Sequence, residues 1–351
     1  MAKKSKRGTP RAGSNRAEKL AARKARQEAA PTAPARPFAD LPAAECDLVA
    51  LRAFIASATA QMTFAEGFDA ANEADFATIL PGAVPGIVRS RQAARWGERG
   101  AGSGASGPEK AGAGSGASGP EEAGAAAAGP DGKVTQGLVA LQTDPEPADL
   151  AGSLAAALAW AASAAPGSEF RGGAAAAGGS GSRGLADIVD PAAPLEVVVY
   201  GDFSWWFGDD ADVSPQVAAM LERANETILP TARLTPKSGI GAPWWVDAGD
   251  RAHLRWVRPE DEETVMKALA RLHAAGRLTM GEGSRFAGSF RTHGLVVPVF
   301  DLDNEMHHEE WHDGLDALDA AFLEALADDS ELSAAERSSR AGILGRQVTL
   351  R

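Results

Sequence analysis

Arg251-Ala-His-Leu-Arg-Trp-Val257, followed by Arg258-Pro-Glu-Asp-Glu-Glu263, is the stretch that decides the fold class. Its alternation sends Arg251, His253 and Arg255 to one side of an extended chain and Leu254 and Trp256 to the other, the pattern of a half-covered strand. The acids at 260–263 then suit the first turn of a helix that runs to Ala275 and stops at Gly276. A second strand precedes it at 243–247, and further strands are expected at 277–280 and 294–300. Between the last two lies Gly281-Glu-Gly-Ser-Arg-Phe-Ala-Gly-Ser-Phe-Arg291, which reads as a glycine-spaced loop carrying arginines. Strand, strand, acid-started helix implies an α+β fold, with antiparallel sheet units and helices packed on one face.

The same signals recur upstream. Strands are expected at 59–64, 76–80, 83–88, 135–142 and 195–200, with helices at 45–52, 148–165 and 214–228. The C-terminal part carries helices at 308–327 and 333–345, the second opened by the capping box Ser333 to Glu336. Leu138 to Glu146, followed by an Ala/Leu helix, echoes Leu254 to Glu260, followed by a Leu/Ala helix. Two readings fit this echo: two related α+β units, or a hairpin-plus-helix arrangement recurring by chance.

Composition divides the chain further. Residues 1–30 hold ten Lys or Arg and two Glu, a net of +8 on a chain of net −12. Residues 1–36 therefore read as a disordered basic arm of the kind that seeks nucleic acid or the ribosome. Gly-Ala-Gly-Ser-Gly-Ala-Ser-Gly-Pro-Glu stands at 100–109 and again at 112–121, so 97–132 reads as a low-complexity linker. The two G-x-G-x-x-G matches inside it follow no strand and carry no dinucleotide reading. The expected organisation is a first α+β unit at 37–96 plus 133–165, a flexible loop at 166–182, and a second unit at 183–351. The single Cys46 argues against a disulfide framework, and no apolar run is long enough to span a membrane, which together point to the cytoplasm.

Two groups of residues could carry chemistry. Gly281 and Gly283 would let the backbone approach a ligand, while Arg255, Arg258, Arg285, Arg291 and His293 would converge on an anion if their strands are neighbours. His308-Glu-Glu-Trp-His312 matches H-E-x-x-H, a pattern that sets two imidazoles on one helical face with Glu309 as base for a zinc-bound water. Against it, residues 301–331 hold twelve acidic residues and no Lys or Arg, as an acidic surface helix would. Its core stripe would be Trp311, Leu315, Leu318, Phe322 and Leu326. Weak divalent binding by Asp301, Asp303, Glu305 and His308 is a further reading. The tryptophans at 205, 206, 244, 245 and 256 suit core packing better than a stacking platform, since neighbours in a strand face opposite ways.

Several blocks have the look of a shared family: Cys46 to Arg52, Leu221 to Asn225, Pro230 to Leu234, Ala252 to Asp261, Gly281 to Phe290, and Gly345 to Arg351. Through them the chain resembles an actinobacterial family of uncharacterised cytoplasmic proteins defined only as a domain of unknown function. That resemblance implies no activity. The sequence names no catalytic residue, no cofactor and no oligomeric state. Its first functional reading is a non-enzymatic binding or regulatory protein holding an anionic partner on the Arg/Gly face. The alternative is a metal-dependent hydrolase using His308, Glu309 and His312.

Overall fold

The computed structural model describes residues 36–92, 133–172, 183–207, 214–345 and 348–349. Residues 1–35 of the basic arm, the duplicated linker and the loop centre at 173–182 lie outside the described residues. Helix α1 (Glu45–Ala53) comes first, then strands β1 (Ala58–Gln61), β2 (Glu73–Ile79), β3 (Gly86–Gln92) and β4 (Lys133–Gln142). Helix α2 (Leu150–Ala161), β5 (Glu169–Phe170), β6 (Glu196–Val199) and α3 (Pro215–Asn225) follow. The second half runs β7 (Thr231–Arg233), β8 (Ala242–Asp247), β9 (Ala252–Val257), α4 (Glu262–Ala274), β10 (Ser284–Thr292) and β11 (Leu295–Leu302). It ends with α5 (His312–Ala327), α6 (Ala334–Leu344) and β12 (Val348–Thr349).

The strands form two six-stranded sheets, ordered β5-β3-β4-β2-β1-β6 and β12-β10-β11-β9-β8-β7. This is the α+β class with mainly antiparallel sheets; among the described residues only β2/β4 and β10/β12 run parallel. Both halves insert a late strand between two earlier ones, giving β3-β4-β2-β1 and β10-β11-β9-β8. Their polarity differs at the central pair. In the second half α4 lies between β9 and β10 and adds one reversal, so β11 is antiparallel to β9, whereas β4 is parallel to β2. The hairpin-plus-helix echo is present as β3–β4–α2 and β8–β9–α4. β6 pairs with β1, so the segment from 183 to 199 belongs with the first sheet.

α1 is the centre of the molecule. Cys46, Leu48, Val49, Ala50 and Leu51 are all buried, so the helix is apolar on every side. A helix with no polar face must be covered all round. α1 lies in one core with Ala60, Phe76 and Val139 of the first sheet and Ala242, Trp244 and Val297 of the second. Its charged ends are tied in turn. Arg36 bonds the buried Glu45 through Nε at 2.9 Å, and Arg233 bonds Asp47 at 2.7 Å while lying over the Trp244 ring. α2 packs beside α1 on the same face of the first sheet, where a Cβ on Gly137 would stand 2.6 Å from the Ala161 Cβ.

The far face of the first sheet packs against Phe203, Trp205 and the partly buried Trp206 and Leu221. The far face of the second packs against α4, α5 and α6 through Val265, Leu269, Leu315, Phe322 and Ile343. Adjacent tryptophans divide as the strand pleat requires, Trp244 into the α1 core and Trp245 into the outer one. Among the described residues no helix is long and apolar enough to cross a membrane.

Two sequence expectations are corrected. No strand forms at 277–280, and most of the supposed glycine loop is β10, paired with β11 across eight residue pairs. Gly288 sits at a register shift opposite Val299 and is covered, so a glycine that reads as a loop signal is a bulge inside a strand. Two substitutions test the packing. Leu48→Ala is expected to cost about 2–5 kcal/mol and Gly137→Ala about 1–3 kcal/mol, both read from denaturant midpoints at unchanged slope.

Candidate functional site

The alternation in β9 is realised in three dimensions. Leu254 and Trp256 enter the outer core, so Arg251, His253 and Arg255 take the inner face of the second sheet. There the β11 partner of His253 is Asp301, and the β10 partner of Asp301 is Arg285. Asp301 Oδ2 accepts from Arg251 Nη1 at 3.0 Å and from Arg285 Nη2 at 2.6 Å. His253 Nδ1 lies 3.2 Å from Oδ1, at ion-pair distance but without hydrogen-bond alignment. Burial works to raise the Asp301 carboxyl, yet Arg285, His253 and Arg251 together hold it below the usual carboxylate range. Arg255 is one pleat further along the same face, stacked over Phe54 at 5.3 Å. Among the described residues it has no carboxylate partner, and burial lowers its pKa from the ordinary value.

The other expected anion ligands lie elsewhere. Arg258 is fully buried between the Trp256 and Phe322 rings and is bonded to Glu260. Arg291 pairs with Val296, whose side chain enters the outer core, and bonds Glu262 of α4 at 2.8 Å. Gly281 and Gly283, with φ of 104° and 78°, shape the turn into β10, where Ser284 Oγ donates to the Gly281 carbonyl. A Cβ on Gly283 would meet Asp303 at 3.2 Å and Trp311 at 3.5 Å. Its close approach is therefore to the protein's own side chains.

His293 belongs to a second place. It occupies the β10–β11 turn with φ 49°, a left-handed conformation in which His is enriched among non-glycine residues. Arg52 at the end of α1 donates from Nε to His293 Nε2 at 2.8 Å. An arginine can only donate, so the neutral ring carries its proton on Nδ1 and gives it to Thr292 Oγ1 at 2.8 Å. Arg52 also bonds the Leu141 carbonyl and the exposed Glu146. Arg52, Glu146 and His293, with Ala53, Gln142, Thr143 and Thr292, line a cleft of about 250 Å³ where α1 meets both sheets. Since Nε2 is occupied by Arg52, His293 has no lone pair left to act as a base on Thr292.

The H-E-x-x-H pattern does not form one helical face. His308 lies in a 3-10 turn, 308–311, and α5 begins only at His312. The His308 ring lies against Trp245 and His307, whereas His312 is exposed. Among the described residues no three His, Cys, Asp or Glu gather to hold a metal ion. The stripe Trp311, Leu315, Leu318 and Phe322 is buried as expected, with Leu326 partly so.

Sequence reading missed Arg52, Glu146 and Asp75. Arg52 had a signal, since a cation closing an all-apolar helix must reach a partner or water. Asp75 had none. It is buried on the far face of the first sheet, where it accepts a 2.5 Å bond from Gln136. Burial pushes its carboxyl up to about 6 against that bond and the charge of Arg91.

Burial and then the Arg52 charge push His293 down to about 4, against Glu146. The two groups give opposite pH slopes. Between pH 4 and 6.5 the unfolded chain protonates His293 and the folded one does not, so this contribution is lost on acidification. Between pH 3.8 and 6 the folded chain holds a proton on Asp75 that the unfolded one releases, so that contribution is lost as pH rises. Denaturation across pH 4–7 should therefore show His293→Asn flattening the acid-side loss and Asp75→Asn removing the opposing slope.

Comparison with known proteins adds membership without chemistry. No curated protein and no solved structure matches the chain. One family model matches residues 37–98 and 122–351, leaving out residues 99–121, which hold both Gly/Ser/Ala copies. The matched residues include α1, both sheets, the Asp301 cluster and the Arg52 cleft. The chain belongs to the family of unknown function DUF5926.

Proposed function

We propose that this protein is a non-enzymatic binding protein that holds one anionic group, a phosphate or carboxylate, on the inner face of its second sheet. The observation that supports the reading is the charge imbalance at Asp301. Three guanidinium groups, Arg251, Arg255 and Arg285, share that face with one carboxylate, leaving two unmatched positive charges on a chain of net −12. Arg251 and Arg285 are exposed enough to turn toward a ligand, and Asp301 keeps them oriented in its absence. Of the nearby acids, Asp247 pairs with Ala252 on the opposite face, and Asp303 keeps its charge while accepting from the Glu305 backbone N–H rather than from an arginine.

The surrounding charge sets the size of the ligand. Beyond residue 30 the chain carries about −20, obtained from −12 and +8, so a long polyanion laid over this face meets repulsion. A compact group entering between the arginines does not. The arm at 1–30 supports a separate, salt-dependent attachment to nucleic acid.

Pyrophosphate titrated into the full chain by calorimetry tests the first clause. Arg251→Ala and Arg285→Ala should each weaken binding about two- to fivefold, given their exposure, and the double variant more. Asp301→Asn, which removes the competing carboxylate, should strengthen it. Equal affinity in the double variant would sink the reading. For the arm, binding of a single-stranded RNA should fall with salt and vanish when residues 1–30 are removed.

A further inference from the structure

We propose that the cleft at Arg52 is a second binding site, taking a small carboxylic acid whose carboxylate replaces that of Glu146. Arg52 is held by its other nitrogens: Nε on His293 and Nη1 on the Leu141 carbonyl, with only 7% of its side chain exposed. Its Nη2 is capped by Glu146, a side chain 68% exposed on the loop after β4. A buried, fixed fork satisfied by an exposed surface carboxylate is an occupied anion site whose occupant belongs to the protein.

The remaining wall groups suit the same ligand. Thr292 Oγ1 accepts from His293 Nδ1, which leaves its O–H to donate into the cleft. His293 is neutral, so Arg52 is the one cation of the wall and Glu146 the one anion. Withdrawal of Glu146 alone would leave a nearly buried charge without a partner, which is costly. Exchange for another carboxylate keeps the charges balanced. The C-terminal end of α1 opposes any anion here through its dipole, but Gln142 Nε2 covers the Leu51 carbonyl at 3.2 Å. The volume of about 250 Å³ admits a small organic acid and no long chain.

This site is distinct from the Asp301 cluster. The six residue steps from Leu295, the partner of Thr292, to Asp301 span about 20 Å of strand. Ligand binding here would also join α1, the first sheet through Leu141 and Glu146, and the second through His293.

The experiment titrates succinate, and inorganic phosphate in a parallel arm, into the full chain while following the His293 ring resonances by NMR. Succinate should shift them saturably. Glu146→Gln, which removes the internal competitor's charge, should tighten binding about two- to fivefold. Arg52→Lys, which loses the fork, should abolish saturation, and Arg285→Ala should leave the His293 response unchanged. Stronger binding of phosphate than of succinate would overturn the carboxylate assignment. Absence of saturation, or unchanged affinity in Glu146→Gln, would overturn the site itself. Loss of the His293 response in Arg285→Ala would assign the effect to the Asp301 cluster. Because Glu146 is exposed, its variant keeps the test decisive even if Arg52→Lys fails to fold.

Discussion

One helix shared by two sheets is the constraint on which this molecule depends. α1 offers neither sheet a polar side, so both must pack on it. Burying such a helix brings its flanking charges in with it. Glu45 is consequently met by Arg36 just ahead of the helix, while Asp47 and Arg52 are met from distant segments by Arg233 and by the pair His293 and Glu146. These bonds add less to stability than the apolar contacts do, since desolvation offsets most of the attraction. Their value lies in fixing how the two sheets are aligned across the helix.

The arginines illustrate how a fold sorts residues that look alike in sequence. Arg258 and Arg271 are absorbed by the core: Arg258 lies between two aromatic rings, and Arg271 donates to carbonyls at the end of α5. Arg291 is tied to the first turn of α4. Arg251, Arg255 and Arg285 share one sheet face, and Arg52 ends in a cleft. The sorting rule is strand parity. A register change of one residue exchanges faces, which is why Arg285 and Arg291, six apart but separated by the bulge at Gly288, look in opposite directions.

Much of the architecture was legible locally. The period-two pattern of β9, the acidic start of α4 with Asp261 accepting from Thr264, and the capping box at Ser333 were all readable from side-chain chemistry within a few residues. β10 was not, because glycines that open the preceding turn and form the bulge outweigh a short aromatic and β-branched signal. The H-E-x-x-H spacing failed for a related reason. It presumes a continuous helix, and a 3-10 turn with three residues per turn rotates His308 away from the face that His312 begins.

By itself, then, the amino-acid order determined most of the elements, though not β10, together with the half-covered character of β9 and the cationic identity of its inner face. Those properties depend on neighbours in sequence, where hydrogen-bond geometry and side-chain alternation act. Tertiary structure alone decided which cations meet an anion and which remain unmatched. Arg52 is separated from Glu146 by 94 residues and from His293 by 241. No local pattern encodes such a meeting. It follows from where two sheets close on a helix that neither could leave exposed to water.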